Sequence, residues 1–119
     1  MKLYPAVFLS ALSFSGCSTV PVPVPQFSGS VIAVVRDTGF FGAGCTFAVL
    51  IDGEIVGKVN AGETVAKKVD SGKHRVAIDN TTPICTNVKM SKVVDIAGSP
   101  AVFRIGITSD GQTIFDQVE

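Results

Sequence analysis

The chain has 119 residues, ten basic against ten acidic side chains, one histidine, three cysteines and no tryptophan, and 46% of it is hydrophobic. This length fits one domain, the charge balance excludes a basic nucleic-acid footprint and an acidic tail, and the apolar content excludes disorder along the whole chain. No apolar run reaches the ~18 residues that a membrane-spanning helix needs.

The first residues read as an address. Lys2 precedes an acid-free apolar stretch ending near Leu12, the pattern of a secretory leader. Small residues follow, and Phe14-Ser15-Gly16-Cys17 resembles a bacterial lipobox, with Phe14 where leucine is usual. That order suits the chemistry. The Cys17 thiol accepts a diacylglycerol group, small neighbours admit a peptidase to the Gly16–Cys17 bond, and the new amino group can be acylated in turn. Residues 1–16 are therefore the expected signal peptide, and a membrane lipid joined through acylated Cys17 is the expected partner. Ser18 after the cysteine is similar to Gram-negative lipoproteins sorted to the outer membrane. A competing reading is ordinary secretion, with cleavage after Ala11-Leu12-Ser13.

Residues 17–30 form the expected linker. Pro21, Pro23 and Pro25 alternate with valine, which favours extended polyproline-like backbone, a semi-rigid spacer of ~3.1 Å per residue. Residues 31–119 form the expected domain. The spacing predicts strands over 31–36, 46–51, 54–59, 64–69, 74–78, 92–96, 101–108 and 112–118. Asp52-Gly53 is a hairpin signal, and Asn60-Ala61-Gly62, Asp70-Ser71-Gly72 and Asp110-Gly111 supply further turns. Phe47, Val49 and Ile51 share one strand face, as do Val76 with Ile78 and Phe103 with Ile105 and Ile107. This period of two is the half-buried strand signature, and no stretch of the mature chain has a convincing helical period. The fold class expected is all-β: a small antiparallel β-sandwich of about seven or eight strands, with barrel-like closure left open.

The run 49–59, then Gly62-Glu63, then Ser71-Gly72-Lys73-His74-Arg75-Val76, resembles the DUF2846 and PEGA-like envelope domains. The shared pattern is hydrophobic-x-Asp-Gly-x-x-hydrophobic-Gly, a turn, and Pro-Gly-Lys-His-x-hydrophobic, with Ser71 in place of the proline. The resemblance covers about residues 30 to 118 and consists mostly of turn chemistry, so it implies a fold and no activity.

Cys45 and Cys85 remain once Cys17 is acylated. In an oxidising compartment they are expected to form a disulfide, and without a C-x-x-C spacing a redox pair is the weaker alternative. Two cysteines and one histidine leave a zinc site a ligand short. Neither a metal nor any other cofactor is expected. His74 could act as a general base with Glu63 or Asp79, although a packed structural histidine is the simpler reading. Phe40 and Phe41, inside Gly39-Phe40-Phe41-Gly42-Ala43-Gly44, are a candidate contact loop for an envelope protein or glycan unless they cap the core. Lys67, Lys68, Lys73 and Arg75 could form a cationic rim. The sequence thus points to a lipid-anchored, non-catalytic binding or scaffolding module with no nucleic-acid partner. The alternative is a small periplasmic enzyme built on His74.

Overall fold

The computed structural model describes residues 23–38, 44–82, 85 and 88–119. The expected leader, Cys17, and the Phe40 and Phe41 loop lie outside the described residues. The domain is all-β. Its eight strands are β1 (Val31–Arg36), β2 (Phe47–Ile51), β3 (Glu54–Val59), β4 (Thr64–Lys68), β5 (Gly72–Asn80), β6 (Lys89–Ile96), β7 (Ala101–Ile107) and β8 (Thr113–Gln117). They form two four-stranded sheets, ordered β4-β1-β7-β8 and β3-β2-β5-β6. The architecture is a sandwich and not a closed barrel.

The inner faces carry the alternating residues that the period of two picks out. Ile32, Val34, Phe103, Ile105 and Phe115 from one sheet meet Phe47, Val49, Ile51, Val76 and Ile78 from the other, all buried. Asp52 and Gly53 both take positive φ, 52° and 85°. This is the reversed turn that matches strand twist, and aspartate tolerates it because its short polar side chain bonds locally. The hairpin it closes pairs β2 with β3, with a bulge between Val49 and Leu50. The chain then crosses to the other sheet between β3 and β4. Gly57 makes that corner close, since a Cβ there would meet a Val65 methyl at 2.9 Å.

Two features depart from the expectation. First, β1 and β7 pair parallel, with Ile32 opposite Ala101 and Arg36 opposite Ile105; the other pairings are antiparallel. β1 is buried at every position, so its two faces are both covered. Its unbroken apolar run is the pattern of a strand of that kind. Second, part of the expected linker belongs to the domain. Val24 and Phe27 pack on Ala33, Val35 and Val102, the outward face of the first sheet.

Candidate functional site

The two ends of the sandwich are sealed differently, and the outer face of the first sheet carries a groove. At one end Cys45 and Cys85 are joined, their Cα atoms 6.0 Å apart. The bridge ties the approach to β2 to the connection between β5 and β6. Around it Thr46 N–H donates to Thr82 Oγ1 at 2.8 Å, and Thr81 N–H and Oγ1–H both donate to the Thr46 carbonyl. Arg36 lies beneath, 2% exposed. Its guanidinium donates to the Cys45 carbonyl and sits 4.9 Å from the centre of the Phe47 ring, a cation–π geometry. Burial pushes its pKa down. Nothing in the sequence beyond its place at the end of a continuous apolar run marks this arginine as interior.

At the other end lies His74. It shares the inward parity of Val76 and Ile78, at the rim rather than in the core. Its Nδ1 is 2.6 Å from Asp52 Oδ2 and its Nε2 is 2.7 Å from the Asp70 carbonyl oxygen. Asp52 Oδ1 also accepts the Arg75 N–H at 2.9 Å. The partners weighed from sequence are not the ones found. Asp79 falls on the opposite face of β5 because strand side chains alternate, and Glu63 is turned back to accept the Asn60 N–H. The partner is Asp52, whose turn role concealed its second role.

Both ring nitrogens of His74 face oxygen acceptors, an arrangement satisfied in full only by the imidazolium, which donates from both. The Asp52 carboxylate, and after it the Asp70 carbonyl, raise the His74 pKa. The His74 hydrogen bond, and after it the Arg75 N–H, lower that of Asp52. A cavity of about 310 Å³ adjoins the pair, with Glu54, Lys67, Lys68 and Asp70 on its walls. The expected cationic rim is therefore divided. Lys67 and Lys68 share this cavity with acids, whereas Lys73 and Arg75 occupy the outward face of the other sheet, Lys73 opposite Asp95.

The histidine pair carries a pH prediction. The raised His74 pKa contributes stability that is complete below the ordinary imidazole value of 6.5 and is lost as pH rises through the folded-state value. The lowered Asp52 pKa contributes stability present above 3.8 and lost as pH falls through its folded-state value. Urea midpoints of the native chain are thus expected to decline as pH rises above 6.5. In His74→Gln that decline is expected to disappear. The same slope in both proteins would show that the pair does not govern it.

A groove, a cavity of about 480 Å³, lies on the outer face of the first sheet. Gly106, Ile107, Ile114 and Val118 form its apolar lining, and Asp37, Arg104 and Asp116 its charged part. Arg104 donates to Asp37 and sits directly opposite Asp116 across the β7–β8 pair. Neither the groove nor this row of charges is legible from spacing, because Asp37, just past β1, meets the consecutive strands β7 and β8 only in the folded sheet. Among the described residues no group of three or more His, Cys, Asp or Glu side chains could hold a metal ion. No protein-family model matches the chain, and no curated protein matches it.

Proposed function

We propose that this chain is a lipid-anchored, non-catalytic binding module of the bacterial envelope, held at the outer membrane through acylated Cys17. The observation that carries the reading is the division of the three cysteines. Cys45 and Cys85 take each other, as cysteines do in an oxidising compartment, which leaves Cys17 at the lipobox-like position. The resemblance to DUF2846 and PEGA-like domains agrees with that compartment and rests on the turn residues alone. Each buried methylene of an attached chain contributes ~0.8 kcal/mol, so two or more chains hold a protein stably where one does not.

The enzymatic alternative at His74 is weakened by the ring's partners. A general base needs a lone pair aimed at a substrate proton, and both nitrogens are directed at protein oxygens. The groove on the first sheet is the better candidate for contact with an envelope protein.

Intact mass of the chain extracted from membranes tests the anchor. The expected species begins at Cys17, carries the added mass of two or three acyl chains, and lacks two hydrogens for the Cys45–Cys85 bridge. Cys17→Ser is expected to release the chain from the membrane. Recovery from the cytosol with Met1 in place and free thiols would end this reading.

A further inference from the structure

We infer that the edge of β8, unpaired among the described residues, is a strand-addition site for an extended segment of a partner protein carrying a basic residue flanked, two positions away on each side, by apolar ones. The inference deepens the binding-module reading and rests on it for the partner's existence, but not on the lipid anchor.

The sandwich has four edge strands, β4, β8, β3 and β6. On one side β3 and β4 lie against each other at the tight Gly57–Val65 contact. On the other side β6 and β8 lie next to each other, linked by Lys92 Nζ and Asp116 Oδ1 at 3.7 Å. Edge strands are normally guarded by charge. β6 has Lys89, Lys92 and Asp95, β4 has Lys67 and Lys68, and β3 has Glu54 and Lys58. β8 has only Asp116, between Ile114 and Val118, each 45% exposed.

The hydrogen-bond alternation of an antiparallel pair sets which groups face outward. Val118 N–H donates to the Val102 carbonyl, and Thr108 N–H to the Gln112 carbonyl. Counting by two between these points, Ile114 and Asp116 bond inward to β7. The N–H and C=O groups of Thr113, Phe115 and Gln117 therefore point to the open side. An antiparallel strand bonded to those three would place its intervening residues opposite Ile114, Asp116 and Val118 in non-hydrogen-bonded pairs. Those are the pairs in which side chains come closest.

The required side chains follow from that register. Residues opposite Ile114 and Val118 should be apolar, and they extend the lining of the 480 Å³ groove. The residue opposite Asp116 should be cationic. Asp37 and Arg104 neutralise each other, so the groove's remaining formal charge is the Asp116 carboxylate, whose side chain is 64% exposed. Lys92 shows that this carboxylate takes an ammonium. It approaches from the neighbouring edge and is itself 46% exposed, so it competes with the partner's cation rather than blocking it. The same sheet face already takes apolar side chains from outside the sheet, at Val24 and Phe27.

The test is amide hydrogen exchange of the purified full chain with a synthetic Thr-Val-Thr-Lys-Thr-Val-Thr peptide. The expected result is slowed exchange at Thr113, Phe115 and Gln117 that saturates with peptide. Asp116→Lys should weaken binding at least roughly fivefold through like-charge pairing, and Lys92→Ala should tighten it by about two- to fivefold by removing the competing ammonium. Gln117→Pro, which removes an outward N–H and leaves Asp116 untouched, should also weaken binding, so the idea does not depend on one variant. Unchanged exchange along β8, or protection indifferent to Asp116→Lys, overturns it. In-cell crosslinking from Gln117 and from Glu54 then separates the two readings. A partner joined only through Glu54 removes the β8 site and keeps the binding module, whereas no partner at either position removes both.

Discussion

Replacing Cys45 and Cys85 together by alanine is expected to lower unfolding stability by roughly 4 kcal/mol, the chain-entropy value for a closed loop of about 41 residues. For a domain whose whole margin is about 5–15 kcal/mol, that is a large share, and Tm should fall by roughly 15–30 °C. Two things make the site sensitive. The bridge is the covalent tie between the approach to β2 and the long connection from β5 to β6. The carbonyl of Cys45 is also the acceptor for Arg36, so movement of this strand end disturbs a buried charged residue. Urea denaturation of the native and double-alanine chains, with the native chain repeated under reductant, measures the effect. A change below about 1 kcal/mol would mean that the Thr46, Thr81 and Thr82 hydrogen bonds hold this end without the sulfurs. The same measurement bears on compartment, because a domain so dependent on its bridge would be weakened wherever thiols are kept reduced.

Phe103→Ala is expected to cost about 3–5 kcal/mol. Phe103 is 1% exposed and stacks on Phe115, with ring centres 5.3 Å apart. The two rings come from β7 and β8, so they join the last strand to the middle of the sheet. Truncation removes apolar burial and leaves a cavity between two sheets whose backbones cannot close over it, being held by hydrogen bonds on both sides. Ile114→Ala is the control. It lies beside Phe115 on the same strand but points outward, 45% exposed, and should change stability by no more than about 0.5 kcal/mol. Thermal and urea unfolding of the two variants should differ accordingly, and equal losses would contradict the assigned faces of β8. The contrast also protects the strand-addition test, since an outward residue can then be altered for binding without unfolding the edge.

Alternation and turn chemistry are local, and they were sufficient for most of the elements. The strands over 31–36 and 54–59 coincide with β1 and β3, and the Asp52-Gly53 turn has the positive φ values its composition calls for. The strand expected over 92–96 starts earlier, at Lys89, because pairing with β5 continues to Asp79. Polar residues at its start hide an extension that cross-strand hydrogen bonds maintain.

By itself, then, the sequence determined an all-β chain, its turns and its inward-facing residues, together with a cysteine pair free to bridge. Each of these depends on the conformational preference or polarity of residues a few positions apart. Long-range packing sets how the eight strands divide between two sheets, that β1 and β7 run parallel, that Asp52 rather than Glu63 or Asp79 meets His74, and that Val24 and Phe27 pack on one sheet face. The same holds for the groove beside β8, assembled from Asp37, Arg104 and Asp116. These pairings join residues far apart in the chain. Their selection depends on which apolar faces can be buried together and which backbone groups find partners across the sheet, and no short window of sequence contains both sides of that choice.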